Sequence, residues 1–488
     1  MGRSRLSRRS NSKGLKITLW ILIAVEAVLT GFLLNTIIGK NMLPIKYTAI
    51  FIGVIAGIIV LDLIAMKKKW SSIVMIIVSV IVSLGLAYLV NFTGAATSTL
   101  NKITGNNQNV STIQVAVLKT SNTDNIEGLA GRSIAYSSTL SNETYISART
   151  DIDKKASGIK YSKVNGITSL ADALTNKEVD AVVINESYLD VLKEIDGYKD
   201  FSSKIKVIYS IDVKSSISNS DNNAVVPKDN EIFTVYISGI DTYGSTLKTS
   251  RSDVNILAVV NMKSKHVLLV NTPRDYYVTH PASDGVKDKL THAGLYGVEN
   301  SMGALANVYG IDVNYYLRMN FTGFQKIIDS IGGIDVESEY AFTSSLNPGY
   351  SYTAGINHLN GEGALFFARE RYSFQEGDRQ RGKDQMAIIT ATIRKLTSSS
   401  EILLNYQNIF NELSDSFQTS MPQEVLYKLI NNQIANNSGW KVENISVTGS
   451  GASMTTYSMP SANAYVMIPD EASVDTAKQK IQSVLNEK

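Results

Sequence analysis

Eight of the chain's 14 arginines fall between Arg251 and Arg394, a stretch with only 6 lysines, whereas lysine leads 27 to 6 everywhere else. A guanidinium offers its donors in a fixed planar fork and keeps its charge, so arginine suits bidentate recognition of phosphate. Surface solubility alone does not explain a change of cation confined to one region. Part of this set flanks three apolar runs, IFTVYISG (232–239), NILAVVNM (255–262) and HVLLVNT (266–272). Asp241 follows the first run, Arg251 and Asp253 lead into the second, and Arg274 and Asp275 follow the third. The short turn Lys263-Ser264-Lys265 makes the second and third runs a hairpin. If the first run also pairs antiparallel, all five residues collect at one sheet edge, where ligands of α/β sheets tend to bind.

A second group lies in FFARERYSFQEGDRQRGKDQ. Arg369 and Arg371 leave an apolar helical stretch, Asp378 is expected as a helix N-cap, Arg381 sits in the first turn, and Gln385 lies one turn on along the same face. A helix N-terminus adds free N–H groups and a dipole that favour a phosphate. The plain alternative is a salt-bridged surface, since Glu370, Glu376 and Asp384 are close by. Asp241 and Asp253 among these arginines favour a hard cation, Mg²⁺ or in its place Mn²⁺, completed by water and phosphate oxygens. A divalent ion together with arginine clamps suits a pyrophosphate, in which the leaving and transferring phosphates both need neutralising. Asp253 and Asp378 are the candidate bases. No P-loop, kinase motif set, Gly-x-Ser-x-Gly elbow or His-Glu-x-x-His is present, so nucleotide hydrolysis, esterase and zinc-protease chemistry fall away. His292, an isolated histidine in KLTHA, is expected to pack or to touch substrate.

These groups must be positioned by a chain of 488 residues, long enough for several folded units. With 44% hydrophobic residues the chain is not mostly disordered, and a formal charge of +3 argues against a wholesale nucleic-acid binder. Cysteine is absent and there are four histidines, which excludes disulfide scaffolds, thiolate metal sites and cysteine nucleophiles. Three apolar stretches, 17–39, 47–66 and 70–92, are each long enough to span a membrane as a helix. Six cations precede the first, and Lys67, Lys68 and Lys69 separate the second from the third. The positive-inside rule puts the N-terminus in the cytoplasm and everything after Phe92 outside. Glu26 and Asp62, inside spans, are expected to pair between helices, or Asp62 to reach toward the lysines. The expected organisation is a tail (1–16), three spans (17–92), a linker (93–112), a small accessory α/β unit (113–211), a second linker (212–230) and a larger α/β unit (231–488). Mixed strands flanked by helices make the larger unit a layered α-β-α sandwich. No catalytic constellation is evident in the smaller one.

The motifs ISGIDTYG, SRSDVNILAVVN, VNTPRD, KLTHAGLYG, HLNGEGALFFARER and GDRQRGKDQ occur here in order. Jointly they resemble the LytR–CpsA–Psr family. That resemblance implies an enzyme that moves a glycan, here capsular polysaccharide, from a polyprenyl-pyrophosphate carrier to peptidoglycan and leaves polyprenyl phosphate. By match to its motifs, Asp241 and Asp253 would hold Mg²⁺, and Arg251, Arg274, Arg369, Arg371, Arg381 and Gln385 would bind the pyrophosphate. Asp241, Asp253, Arg274, Arg371 and Asp378 make up the implied catalytic set. The lipid tail would occupy an apolar tunnel through the sheet, which suits the runs NILAVVNM and HVLLVNT, and buried-core packing explains those runs equally well. Many family members carry a second glutamine beside Gln385, where this chain has Asp384. Implied partners are the lipid-linked polysaccharide, the peptidoglycan acceptor, the membrane and other capsule assembly proteins, with no nucleic acid. The competing reading is a non-enzymatic regulator or scaffold of capsule assembly that binds lipid-linked glycan.

Overall fold

The computed structural model describes residues 3–105, 108–216, 227, 231–241, 248–398, 409, 416–436 and 438–488. The chain divides into two compact units, one containing the first 102 residues with 397–411 and 422–438, the other containing the rest.

In the first unit, α1 (Arg3–Gly39), α2 (Ile45–Ala65) and α3 (Lys69–Gly105) carry three membrane-length apolar spans, Lys13–Gly39, Ile45–Ala65 and Lys69–Asn101. Leu33, Ile37, Ile55 and Leu86 pack between the helices, while Ile21, Phe32, Leu61 and Leu84 face outward, as lipid-facing residues would. Glu26 and Asp62 are fully buried within the bundle. Ser79 Oγ donates to both carboxylate oxygens of Asp62, at 3.0 and 2.9 Å, so Asp62 turns inward instead of reaching for the lysines. The helix Gln423–Ala435, expected in the larger C-terminal unit, packs here through Tyr427, Ile430 and Ile434 against Met42 and Leu100.

The stretch 93–112, expected as an irregular linker, carries regular secondary structure on both sides of the division between the two units. Its polar residues continue α3 to Gly105, with Leu100 and Ile103 buried, and β1 (Gln108–Leu118) starts at once. No proline interrupts it, and Leu100 and Ile103, about one turn apart, bury an apolar edge of its last turns.

In the second unit, β1 joins β2 (Ser133–Ser137), β3 (Lys160–Val164), β4 (Ala181–Asn185) and β5 (Ile205–Ser216) in a five-stranded sheet of order β3-β2-β4-β1-β5. The helices α4 (Asn142–Asp153), α5 (Gly166–Thr175) and α6 (Glu186–Leu192) accompany it. β5 extends past Ile211, so the second expected linker is strand as far as Ser216; its remainder, apart from Pro227, lies outside the described residues. This sheet does not stand apart as an accessory domain. Leu170, Leu174 and Leu192 share a core with Leu295 and Met459, and Asn109 donates to the Glu299 carboxylate at 3.1 Å.

The six-stranded sheet comprises β6 (Ile232–Ile240), β7 (Ser252–Asn261), β8 (His266–Asn271), β9 (Tyr315–Asn320), β10 (Phe417–Thr419) and β11 (Lys441–Ser446), in the order β10-β9-β6-β7-β8-β11. β7 runs antiparallel to both β6 and β8, whereas β9 runs parallel to β6 and β11 parallel to β8. The sheet is therefore mixed. Period-two alternation assigns its two faces. Tyr236, Leu257, Val259, Leu268 and Tyr316 pack against α7 (Val298–Tyr309) and the C-terminal helix Glu471–Leu485. The opposite face, carrying Ile237, Val254 and Met319, is covered by α8 (Phe321–Ser330), α9 (Gly361–Arg369) and α10 (Asp378–Ser398). Helices on both faces complete the α-β-α sandwich.

Candidate active site

The antiparallel register does what the strand-end argument requires. Ile240 pairs with Ser252 and Ile256 with Asn271, so Asp241, Arg251, Asp253 and Arg274 all lie at one edge of the sheet. β9 ends there too, since Asn320 pairs with Ile240. Gly294 lets the following segment close on this edge: a Cβ there would lie 2.6 Å from the Ser250 carbonyl oxygen. A cavity of about 280 Å³ opens between this edge and α8–α10. It is lined by Asp241, Arg251, Asp253, Arg274, Arg369, Arg371, Arg381 and Gln385 together. Asp378 lines an adjoining cavity that shares Asp253, Arg274, Arg381 and Gln385 with the first. Thr242, Tyr243 and Gly244 of the first motif lie outside the described residues.

The apolar wall of the cavity comes from Ile237, Val254, Met319, Phe321, Phe324 and Leu365. It follows one face of the sheet and does not cross it. None of the residues of NILAVVNM lines it, and those of HVLLVNT do not either; Leu257, Val259, Leu268 and Val270 are plain sheet core.

Arginine placement depends on carboxylates that the cluster holds for itself. Asp253 accepts from Arg274 Nη1 at 3.1 Å and from Thr291 Oγ1 at 3.2 Å. Burial pushes the Asp253 carboxyl up, but Arg274, Arg251 and Arg381 outweigh it and hold the group below the usual range. Arg274 is 8% exposed, and burial opposes its charge, yet Asp253, Asp275 and Glu194 keep it firmly protonated. Asp241 behaves differently: burial and the neighbouring Asp253 charge raise it against Arg369, whose Nη2 lies 3.7 Å away. Asp378 is the first residue of α10 and not the cap before it; it pairs with Arg381 one turn on. Burial raises its carboxyl as well, with Arg381 opposing.

The Arg-Glu-Arg segment is not a salt-bridged surface. Glu370 is buried and accepts from the backbone N–H groups of Ser345, Arg371, Tyr372 and Ser373, which fixes the turn after α9. Arg369 and Arg371 are left on either side of that anchor, the first stacked 4.2 Å over Phe321 and the second 4.6 Å over Tyr372. His292 is packed: its Nδ1 lies 2.8 Å from Asp288, and both are buried.

Three contributors escape a reading of motifs. Thr291 stands beside the histidine that draws attention in KLTHA. Glu370 looks like half of a surface ion pair. Glu194 follows α6 in the five-stranded sheet, where no constellation is visible, yet it lines the cavity with Oε1 2.5 Å from Arg251 Nη1 and 3.5 Å from Arg274 Nη2. Its partners are 57 or more positions away, so no local pattern marks it.

Asp384 lines neither cavity. It is 3% exposed, accepts from Gln380 Nε2 at 3.0 Å, and has its second oxygen buried without a partner. Burial lifts its carboxyl from 3.8 to about 7. A folded value above the unfolded one means that folding retains a proton, so stability is full below pH 4 and declines as pH rises toward 7. Asp384→Asn is expected to flatten that decline and to raise stability at pH 8 by about 1–3 kcal/mol. Thermal denaturation of both proteins at pH 4, 6 and 8 checks this; parallel curves would rule it out.

Fold and site together define an α/β protein with membrane-length helices whose cavity sets arginines beside an apolar wall. The chain belongs to the LytR–CpsA–Psr family: residues 196–483, more than half of its length, match the LytR_cpsA_psr family. The match begins inside the five-stranded sheet, upstream of the expected boundary at 231. Among its relatives is the polyisoprenyl-teichoic acid–peptidoglycan teichoic acid transferase TagU of Enterococcus faecalis, 32% identical over 216 residues, covering 44% of this chain and 70% of the relative. TagU of Bacillus anthracis is 29% identical over 285 residues, covering 55% and 89%. The crystal structure of B. subtilis TagV covers 53% of this chain and 99% of its own, with 26% identity and a TM-score of 0.45.

Proposed function

We propose that this protein is a membrane-anchored phosphotransferase that moves capsular polysaccharide from a polyprenyl-pyrophosphate carrier to peptidoglycan. The observation that carries the reading is the convergence of five arginines and two strand-edge carboxylates on one cavity whose remaining wall is apolar. A pyrophosphate with a lipid on one side and a sugar on the other matches both halves of that lining. The TagU relatives, named as teichoic acid–peptidoglycan transferases, support transfer of a glycopolymer to peptidoglycan. The three spans and the excess of cations before the first favour a cytoplasmic N-terminus and an active site outside.

Asp241 and Asp253 fit a Mg²⁺ ion. Two carboxylates near enough to repel, with water and phosphate oxygens to complete the shell, are what this ion uses, although no cluster of three or more His, Cys, Asp or Glu occurs among the described residues. When bound, the ion neutralises charge on the pyrophosphate. Arg251, Arg274, Arg369, Arg371 and Arg381 orient the two phosphates and stabilise the charge that grows on the departing one. The acceptor hydroxyl attacks the glycan-linked phosphorus, the bond from that phosphorus to the bridging oxygen breaks, and polyprenyl phosphate leaves. Both carboxylates have an arginine partner, but burial raises Asp378 against Arg381 whereas Arg274 holds Asp253 ionised, so Asp378 is the better acceptor for the hydroxyl proton.

Purified protein with a polyprenyl-pyrophosphate-linked sugar and a peptidoglycan acceptor is expected to release polyprenyl monophosphate and form a glycan phosphodiester, both in proportion to Mg²⁺. Lipid binding without any release at any Mg²⁺ concentration would turn the reading to a non-enzymatic scaffold.

A further inference from the structure

The anion-binding edge of the six-stranded sheet already holds a carboxylate. We propose that Glu194 occupies a phosphate position on Arg251 and Arg274 in the ligand-free protein and is displaced when an anionic substrate binds, so that the five-stranded sheet restrains entry to the site. The inference rests on the pyrophosphate reading above and adds regulation to it.

The geometry distinguishes an occupant from a support. α6 is seated on the segment before β7: Ser187 Oγ donates to the Thr249 carbonyl at 2.6 Å, and Glu186 lies 3.5 Å from Lys248. Glu194 stands just beyond the end of that helix, its N–H bonded to the Val191 carbonyl. One oxygen, Oε1, meets both guanidinium groups, as a single phosphate oxygen would. Asp253 is different, since it lies within a strand and Thr291 also holds it. Glu194 sits in a turn with its side chain 42% exposed, while Arg251 and Arg274 are largely buried. The carboxylate is thus the partner that can swing into water while the arginines stay. A pyrophosphate brings at least two charges and more acceptor oxygens, so it displaces the carboxylate but binds more weakly for having to do so.

Affinity for inorganic pyrophosphate, measured by calorimetry on the full chain in detergent with Mg²⁺ at fixed salt, tests the sign. Glu194→Gln is expected to bind about three- to tenfold more tightly than wild type, and Glu194→Ala to shift the same way. Glu186→Gln, at the start of α6 and outside the cavity, is expected to leave affinity unchanged. A supporting residue gives the opposite sign, so equal or weaker binding by both Glu194 variants overturns the proposal while the site reading stands. A gain of the same size in Glu186→Gln also overturns it, by pointing to general charge. Pyrophosphate binding absent from wild type and variants alike would overturn the site reading and this proposal with it.

Discussion

Arg274→Ala is expected to lower glycopolymer transfer by at least about a thousandfold, beyond the loss that one removed donor to developing charge ordinarily causes. Three features of the residue justify the larger figure. Arg274 faces both cavities, so it reaches whichever phosphate occupies the edge. It is the partner that holds Asp253, a carboxylate proposed for the metal, in one orientation. It also lies within ion-pair range of Asp275 and Glu194, so one guanidinium ties together the carboxylates of this edge. The same burial gives the substitution a structural cost. Removing one member of a buried pair strands the other, typically at about 3–5 kcal/mol, which Thr291 only partly offsets. Arg274→Lys separates the two effects. It restores a charge beside Asp253 and hence most of the stability, but a point charge lacks the planar fork, so transfer stays low. Turnover and melting temperature measured on both variants decide. A folded Arg274→Ala protein with wild-type turnover would end the assignment of this edge as the reacting centre.

Asp253→Asn is expected to come second in size, with transfer reduced about a hundredfold or more and the Mg²⁺ concentration for half-maximal rate raised at least about tenfold. Asparagine keeps the shape and can still accept from Thr291, but it carries no charge for a cation. Removing that charge also relieves Asp241, whose carboxyl is raised partly by Asp253. Asp241 therefore becomes the more readily ionised group, and some cation affinity persists. Manganese binding followed by electron paramagnetic resonance gives a readout that does not depend on turnover. Unaltered manganese affinity in the variant would remove Asp253 from the cation site, and an unaltered rate would remove it from the reaction.

Much of this site was legible in the chain before any coordinates. Arginine outnumbers lysine between Arg251 and Arg394, where the cavity lies, and three short apolar runs with one tight turn place Asp241, Arg251, Asp253 and Arg274 at a common edge, as the register shows. Other expectations failed for identifiable reasons. Polar composition at 93–112 suggested a linker, but a helix needs only an occasional apolar contact to continue, and Leu100 and Ile103 are buried. The runs of β7 and β8 suited a lipid tunnel and core packing alike, and a continuous apolar strand in a sheet covered on both faces is core first. Asp378 looked like a cap, and the helix begins one residue earlier than a cap would allow.

What the sequence by itself determined is local: three membrane-length helices, the alternation of strands and helices, and the ends of strands where charged residues cluster. Each follows from periodicity and residue type within about twenty positions. Tertiary structure alone decided which carboxylates the arginines face. Glu194 reaches Arg251 from another sheet, and Glu370 turns from a seeming ion-pair partner into the anchor of a turn. The physical reason is that a charge pair depends on separation in space, and separation in space between distant segments is set by how their apolar faces pack. Leu170, Leu192, Leu295 and Met459 joined in one core bring α6 to the site, and no spacing along the chain records that.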